Sequence, residues 1–98
     1  MIIIAGTFEV DPDQREEFLR ERGDAMRRSR AEAGCLEYVF SADPIEPGRV
    51  VLLELWASQP DLDAHVVTLR ASPRPPGVAP ISTSVRVYDV TGGRPLGS

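Results

Sequence analysis

The chain has 98 residues, 42% hydrophobic and 27% charged, which fits one small globular domain. Its net charge of −4 runs against the clustered positive potential that phosphate backbones demand, so nucleic acid is not an expected partner. A single cysteine, Cys35, forbids an intrachain disulfide and offers no metal cluster. The apolar start, Met1 to Val10, is too short to span a bilayer and lacks a basic leader, so a cytoplasmic protein with no membrane partner is expected.

Ile2 to Val10 is β-branched and aromatic and predicts the first strand; Gly6 in its middle marks either a bulge or a close approach by a ligand. Asp11 caps a helix that Pro12 opens, with Glu16 and Glu17 at its positive end. That helix is expected to run to about Ala33 and stop at Gly34, with Phe18, Arg22, Ala25, Met26, Ser29 and Ala33 as its inner stripe. All eleven basic residues are arginines, and the densest group, Arg27 to Arg30, reads as a solvated helix face that complements the dipole. Cys35 to Ala42 alternates as strand two. Residues 43–48 supply the turn, and Arg49 to Ala57 returns as strand three.

Ser58 caps a second helix that carries Pro60 and Asp61 in its first turn and reaches about Leu69. Ser72 to Pro80 is proline-rich and reads as a stiff connector, with the border of a cavity as the alternative. Ser82 to Val90 is strand four. Residues 1–91 form one domain and 92–98 a flexible tail.

The order β-α-β-β-α-β predicts a ferredoxin-like α+β fold, a four-stranded antiparallel sheet with both helices on one face. Val51, Leu53 and Leu55 alternate onto one side of strand three, and Val50, Leu52, Glu54 and Trp56 onto the other. The uncovered side would present roughly 400 Å² of apolar sheet, more than a monomer usually leaves in water. A homodimer with sheets packed face to face is therefore expected.

Leu62, His65, Val66 and Leu69 share one side of the second helix, so His65 points toward the sheet. If Glu54 and Trp56 face that helix, the three side chains converge. A lone inward histidine is either a satisfied core group or a site, and a strand tryptophan is most often core. Glu54 is harder to assign to a core, because an ionised carboxylate among aliphatic residues must be paired, with His65 or an arginine such as Arg22, or have its pKa raised. A pocket lined by Trp56, Phe8, Leu52 and Leu62 would suit a flat aromatic ligand. No phosphate loop, nucleophile setting or metal-ligand spacing is present, so no cofactor and no metal are expected.

These residues give the chain its likeness to a known family. The opening strand with "EVDPDQREEF", the Gly-Cys-Leu-x-Tyr entry to strand two, the Glu-x-Trp of strand three and the His nine residues later resemble the antibiotic biosynthesis monooxygenase (ABM) family of dimeric α/β barrels, over about Ile2 to Pro73. The resemblance implies cofactor-free oxidation of aromatic phenols or hydroquinones to quinones with O₂. On that reading His65 or Glu54 moves or stabilises the proton, Trp56 packs on the ring and Tyr38 is a hydrogen-bonding partner. A haem-degrading branch is also implied, but it uses an asparagine on strand one, where this chain has Gly6 or Thr7. A binding dimer without turnover is the third implied reading.

Overall fold

A computed structural model describes residues 1–73 and 77–97. Period-two alternation of burial is clearest in β3, where Val50, Leu52, Glu54 and Trp56 are buried and the residues between them are not. The elements are β1 (Ile2–Glu9), a 3₁₀ turn (Pro12–Gln14), α1 (Arg15–Glu21), α2 (Gly23–Arg30), β2 (Cys35–Ala42), β3 (Arg49–Trp56), α3 (Gln59–Ala71) and β4 (Ser82–Asp89). The strands form one antiparallel sheet in the order β2-β3-β1-β4, the ferredoxin-like arrangement. Ile2 pairs with Trp56, Ile4 with Glu54, and Glu54 in turn with Tyr38, so all five side chains share the helix-covered face.

That face carries two hydrophobic clusters. Ile2, Tyr38, Trp56 and Leu62 form one, with Met26 of α2 and Val66 of α3 packed against it. Val10, Phe18 and Val50 form the other, beside Phe8, Leu19 and Phe40. Each fully buried apolar side chain contributes about 1.5–3 kcal/mol, so these few positions hold the helices to the sheet.

The first helix is two helices. Arg22 closes α1 with its amide bonded to the Leu19 carbonyl, one residue tighter than α-helical spacing, and Gly23 starts α2. Glycine resists continuous helix, and Arg22 lies over the Phe18 ring at 4.0 Å, which favours the tightened turn. The helix also ends at Arg30, short of Ala33. Successive turns then lead to Gly34 at φ 79°, a left-handed position where a Cβ would also collide with the Asp61 carboxyl. Gly34 thus seats the entry to β2 against the start of α3, where Ser58 accepts the Asp61 amide as cap.

The arginine cluster is more than a solvated face, since Arg30 donates to the Tyr38 carbonyl at 2.8 Å and secures β2's outer edge. At the far end of the hairpin, Asp43 accepts from Arg49 (2.7 Å) and from the Ile45 and Glu46 amides. The Arg49 hydrogen bond and those two amides hold its carboxyl down at about 2. Arg15 clips the same turn to α1 through the Asp43 and Glu46 carbonyls.

The other sheet face presents Val51, Leu53 and Leu55 beside Ile3 and Ala5, with Leu53 and Tyr88 exposed. All of β4 is exposed, and residues 92–97 carry no regular element. No described helix is long and apolar enough to cross a membrane.

Candidate active site

Strand β3 ends with Glu54 and Trp56 two residues apart on the covered face, and the spacing lets one serve the other. Trp56 is fully buried and donates its indole Nε1–H to Glu54 Oε1 at 3.0 Å. His65, one turn beyond Leu62 on the inner side of α3, packs its ring on the indole with centroids 4.6 Å apart, and Tyr38 meets it edge-on at 5.5 Å. The His65 Nδ1 lies 3.1 and 3.2 Å from the two oxygens of Glu32, on the turn after α2. Its Nε2 faces Glu54 Oε1 at 4.0 Å. The imidazole therefore sits between two carboxylates. An imidazole so placed can pass a proton between them, whereas an axial iron ligand would need one nitrogen turned toward open space.

Burial pushes the Glu54 carboxyl up, opposed by the indole hydrogen bond and the nearby imidazole, with Glu32 adding to the rise. Burial, with Glu54 second, pushes the Tyr38 phenol up to about 12 against a hydrogen bond from Ser29, so Tyr38 stays a neutral donor. Among the described residues no three of His, Cys, Asp and Glu are grouped to hold a metal ion.

Two hollows adjoin this cluster. The smaller, about 40 Å³ and so of the scale of one or two water molecules, is bordered by Ser29, Glu32, His65 and Thr68. The larger, about 620 Å³, lies between the sheet and the helices, floored by Phe8, Tyr38 and Phe40. Those rings touch in sequence at 5.6 and 6.0 Å between centroids. Ala25, Arg28, Leu69 and Ser72 border both hollows, which makes them neighbours through one wall.

With this geometry in view, residues 1–69 match the family model described as "Antibiotic biosynthesis monooxygenase". The chain belongs to that family. An uncharacterized Synechocystis protein, sll1783, is 36% identical over 67 residues, 68% of this chain but 46% of its own length, so the match spans about half of that relative. The Bacillus subtilis protein named "Putative monooxygenase YcnE" is 34% identical over 65 residues, 66% of this chain and 68% of that protein. A crystal structure from Deinococcus radiodurans, titled as a "putative antibiotic biosynthesis monooxygenase", superposes over 100% of both chains with a TM-score of 0.78 at 17% identity, a likeness of fold.

Within this ABM domain the expected residues divide into two groups. His65, Glu54 and Trp56 do converge under α3, but they fill their space: Trp56 and Glu54 border neither hollow. The indole is core and a support for Glu54, not a wall for a ligand. Tyr38, Phe8 and Arg22 line the larger hollow, while Leu52 and Leu62 are buried in the packing around it. Gly6 meets the β4 backbone at Ser84 and Val85, so the close approach there is strand to strand.

Glu32 is the residue the sequence reading passes over. It lies inside the expected helix, three residues after Ser29, but the stripe takes the i+4 step from Ser29 to Ala33 and leaves it out. The proline-rich segment is more than a connector, for Pro73, Gly77 and Val78 line the larger hollow and the Val78 amide donates to Glu21 Oε1 at 2.9 Å. Residues 74–76 of that segment lie outside the described residues.

Proposed function

We propose that this ABM-family chain is a cofactor-independent monooxygenase that oxidises an aromatic, polyketide-like phenol or hydroquinone to a quinone with O₂, as a cytoplasmic homodimer. The observation that carries the reading is the aromatic-floored hollow of about 620 Å³ sharing a wall with the hollow of Glu32 and His65. Its volume suits a fused ring system, and its rings suit a flat one.

Removing the phenol proton gives an electron-rich anion that reduces O₂ directly, so the protein's work is to bind, deprotonate and exclude water. One oxygen atom enters a ring carbon to become the second quinone carbonyl. The other leaves as water with the two hydrogens the phenol gives up. A hydroquinone instead passes two electrons and two protons to O₂, which leaves as hydrogen peroxide. The substrate proton passes by way of a water in the small hollow to Glu32, which shares it with His65 Nδ1. Glu54 faces the other ring nitrogen, held there by Trp56, and Tyr38 donates to the ring oxygen. The apolar sheet face of Ile3, Ala5, Val51, Leu53 and Leu55 is the surface a second copy covers.

Oxygen uptake with anthrols and hydroquinones in metal-free buffer tests the chemistry. His65→Ala and Glu32→Ala are each expected to lower kcat by about 10²–10⁴; undiminished turnover in both variants removes the proton pathway. Sedimentation at micromolar concentration is expected to return twice the chain mass of 10.7 kDa, and the single mass would remove the dimer. The closed packing of Trp56 and Glu54 favours a second reading, a binding dimer without turnover, which saturable ligand binding with no product would establish.

A further inference from the structure

Five charged side chains border the larger hollow: Arg20, Arg22, Arg28, Glu21 and Asp24. Four of them are engaged. Arg20 pairs with Glu17 and Asp24 with Arg27. Glu21 accepts the Val78 amide, and Arg22 lies over the Phe18 ring. Arg28 makes no side-chain ion pair or hydrogen bond among the described residues. Its natural partner, Glu32 one turn on, gives both oxygens to His65 instead. Arg28, exposed to solvent and uncommitted, therefore borders both hollows, the larger of which is floored by aromatic rings.

A free inorganic anion would gain nothing from that floor, and a neutral ring system would gain only a cation–π contact from that cation, weaker than a carboxylate held in the guanidinium fork. We propose that the ligand of this hollow is an aromatic carboxylate, its carboxylate taken by the Arg28 fork and its ring system laid against Phe8, Tyr38 and Phe40. The inference deepens the functional reading and rests on its choice of hollow, though not on turnover. Anchored at Arg28, the ligand has the edge nearest its carboxylate fixed at the shared wall, on whose other side lie Glu32 and His65. A hydroxyl next to the carboxylate is then the group presented to them. Arg28 also stands between the ligand's charge and that of Glu32, four residues along the chain. It is a specificity-determining residue, absent from the proton pathway.

Equilibrium dialysis without oxygen decides the matter, using hydroxynaphthoate and naphthol as ligands. The wild-type protein is expected to bind hydroxynaphthoate at least about tenfold more tightly, the worth of one charge-assisted hydrogen bond. Arg28→Gln should abolish that preference and leave naphthol binding unchanged. Arg28→Lys should keep part of it, having the charge without the fork. Equal affinities in the wild type, no binding of either compound, or a preference that survives Arg28→Gln would each overturn the proposal. Because oxygen is excluded, a protein without oxygenase activity can still pass this test, and one that oxidises neutral phenols can still fail it.

Discussion

Asp43 and Glu54 lie at opposite ends of the β2–β3 hairpin, and the same chemical group behaves in opposite ways. Asp43 sits in a polar turn where Arg49 and two amides donate to it, and its carboxyl is held down at about 2. Glu54 sits under α3 with one indole donor, and burial pushes its carboxyl up. Donor number and solvent access, not position in the hairpin, decide which carboxylate stays charged and which is pushed toward its protonated form. The turn is built to keep a charge; the sheet end is built to make one expensive.

The largest expected effect comes from removing the residue that shapes the buried end. Trp56→Ala should cost about 3–5 kcal/mol in urea unfolding, since it opens a cavity and strips Glu54 of its donor. A loss under 1 kcal/mol would mean that the buried end is not held by the indole. Next is Glu54→Gln, which keeps an acceptor for the indole without the charge. The folded state favours protonated Glu54, so its contribution is complete below the free carboxyl range of about 4.3 and is lost as pH rises through the higher folded value. The variant should lack that decline and exceed the wild type near pH 8 by on the order of 1 kcal/mol. Matching pH–stability curves for the two proteins would contradict the assignment.

The smallest effect is expected at the turn, with the opposite sign. Asp43 is stabilising above about pH 4 and loses that contribution as pH falls toward its folded value of about 2. Asp43→Asn should therefore unfold slightly earlier at neutral pH and converge with the wild type in acid. A gap that widens in acid would show that the Arg49 pairing is not its source.

Much of this division is readable in the sequence, because it follows from periods. Alternation puts Glu54 and Trp56 on one face, and 3.6-residue spacing turns His65 toward them. The Ser58 cap and the hairpin turn announce themselves by composition. The position of the hollow is not readable in this way. It depends on how far α1 and α2 stand from the sheet, which Arg22, Gly23 and the early end at Arg30 set, and no periodicity reports that distance. Glu32 is missed for the same reason: it meets His65 from a turn, where helical spacing no longer orders side chains. Tyr38, Phe8 and Arg22 fall on the larger hollow because their faces are right, whereas Trp56 shares a correct face but lies where the packing is closed.

Strand β4 has a consequence of its own. It is hydrogen-bonded along one edge only, to β1, and none of its side chains is buried. Little apolar contact resists its departure, so it is the natural point from which the sheet peels, and its amides exchange with solvent by fraying, ahead of those in β1 and β3. The chain thus places its least anchored strand farthest from the hairpin that carries Glu54 and Tyr38, and local opening at one margin leaves the Glu54–His65 cluster undisturbed.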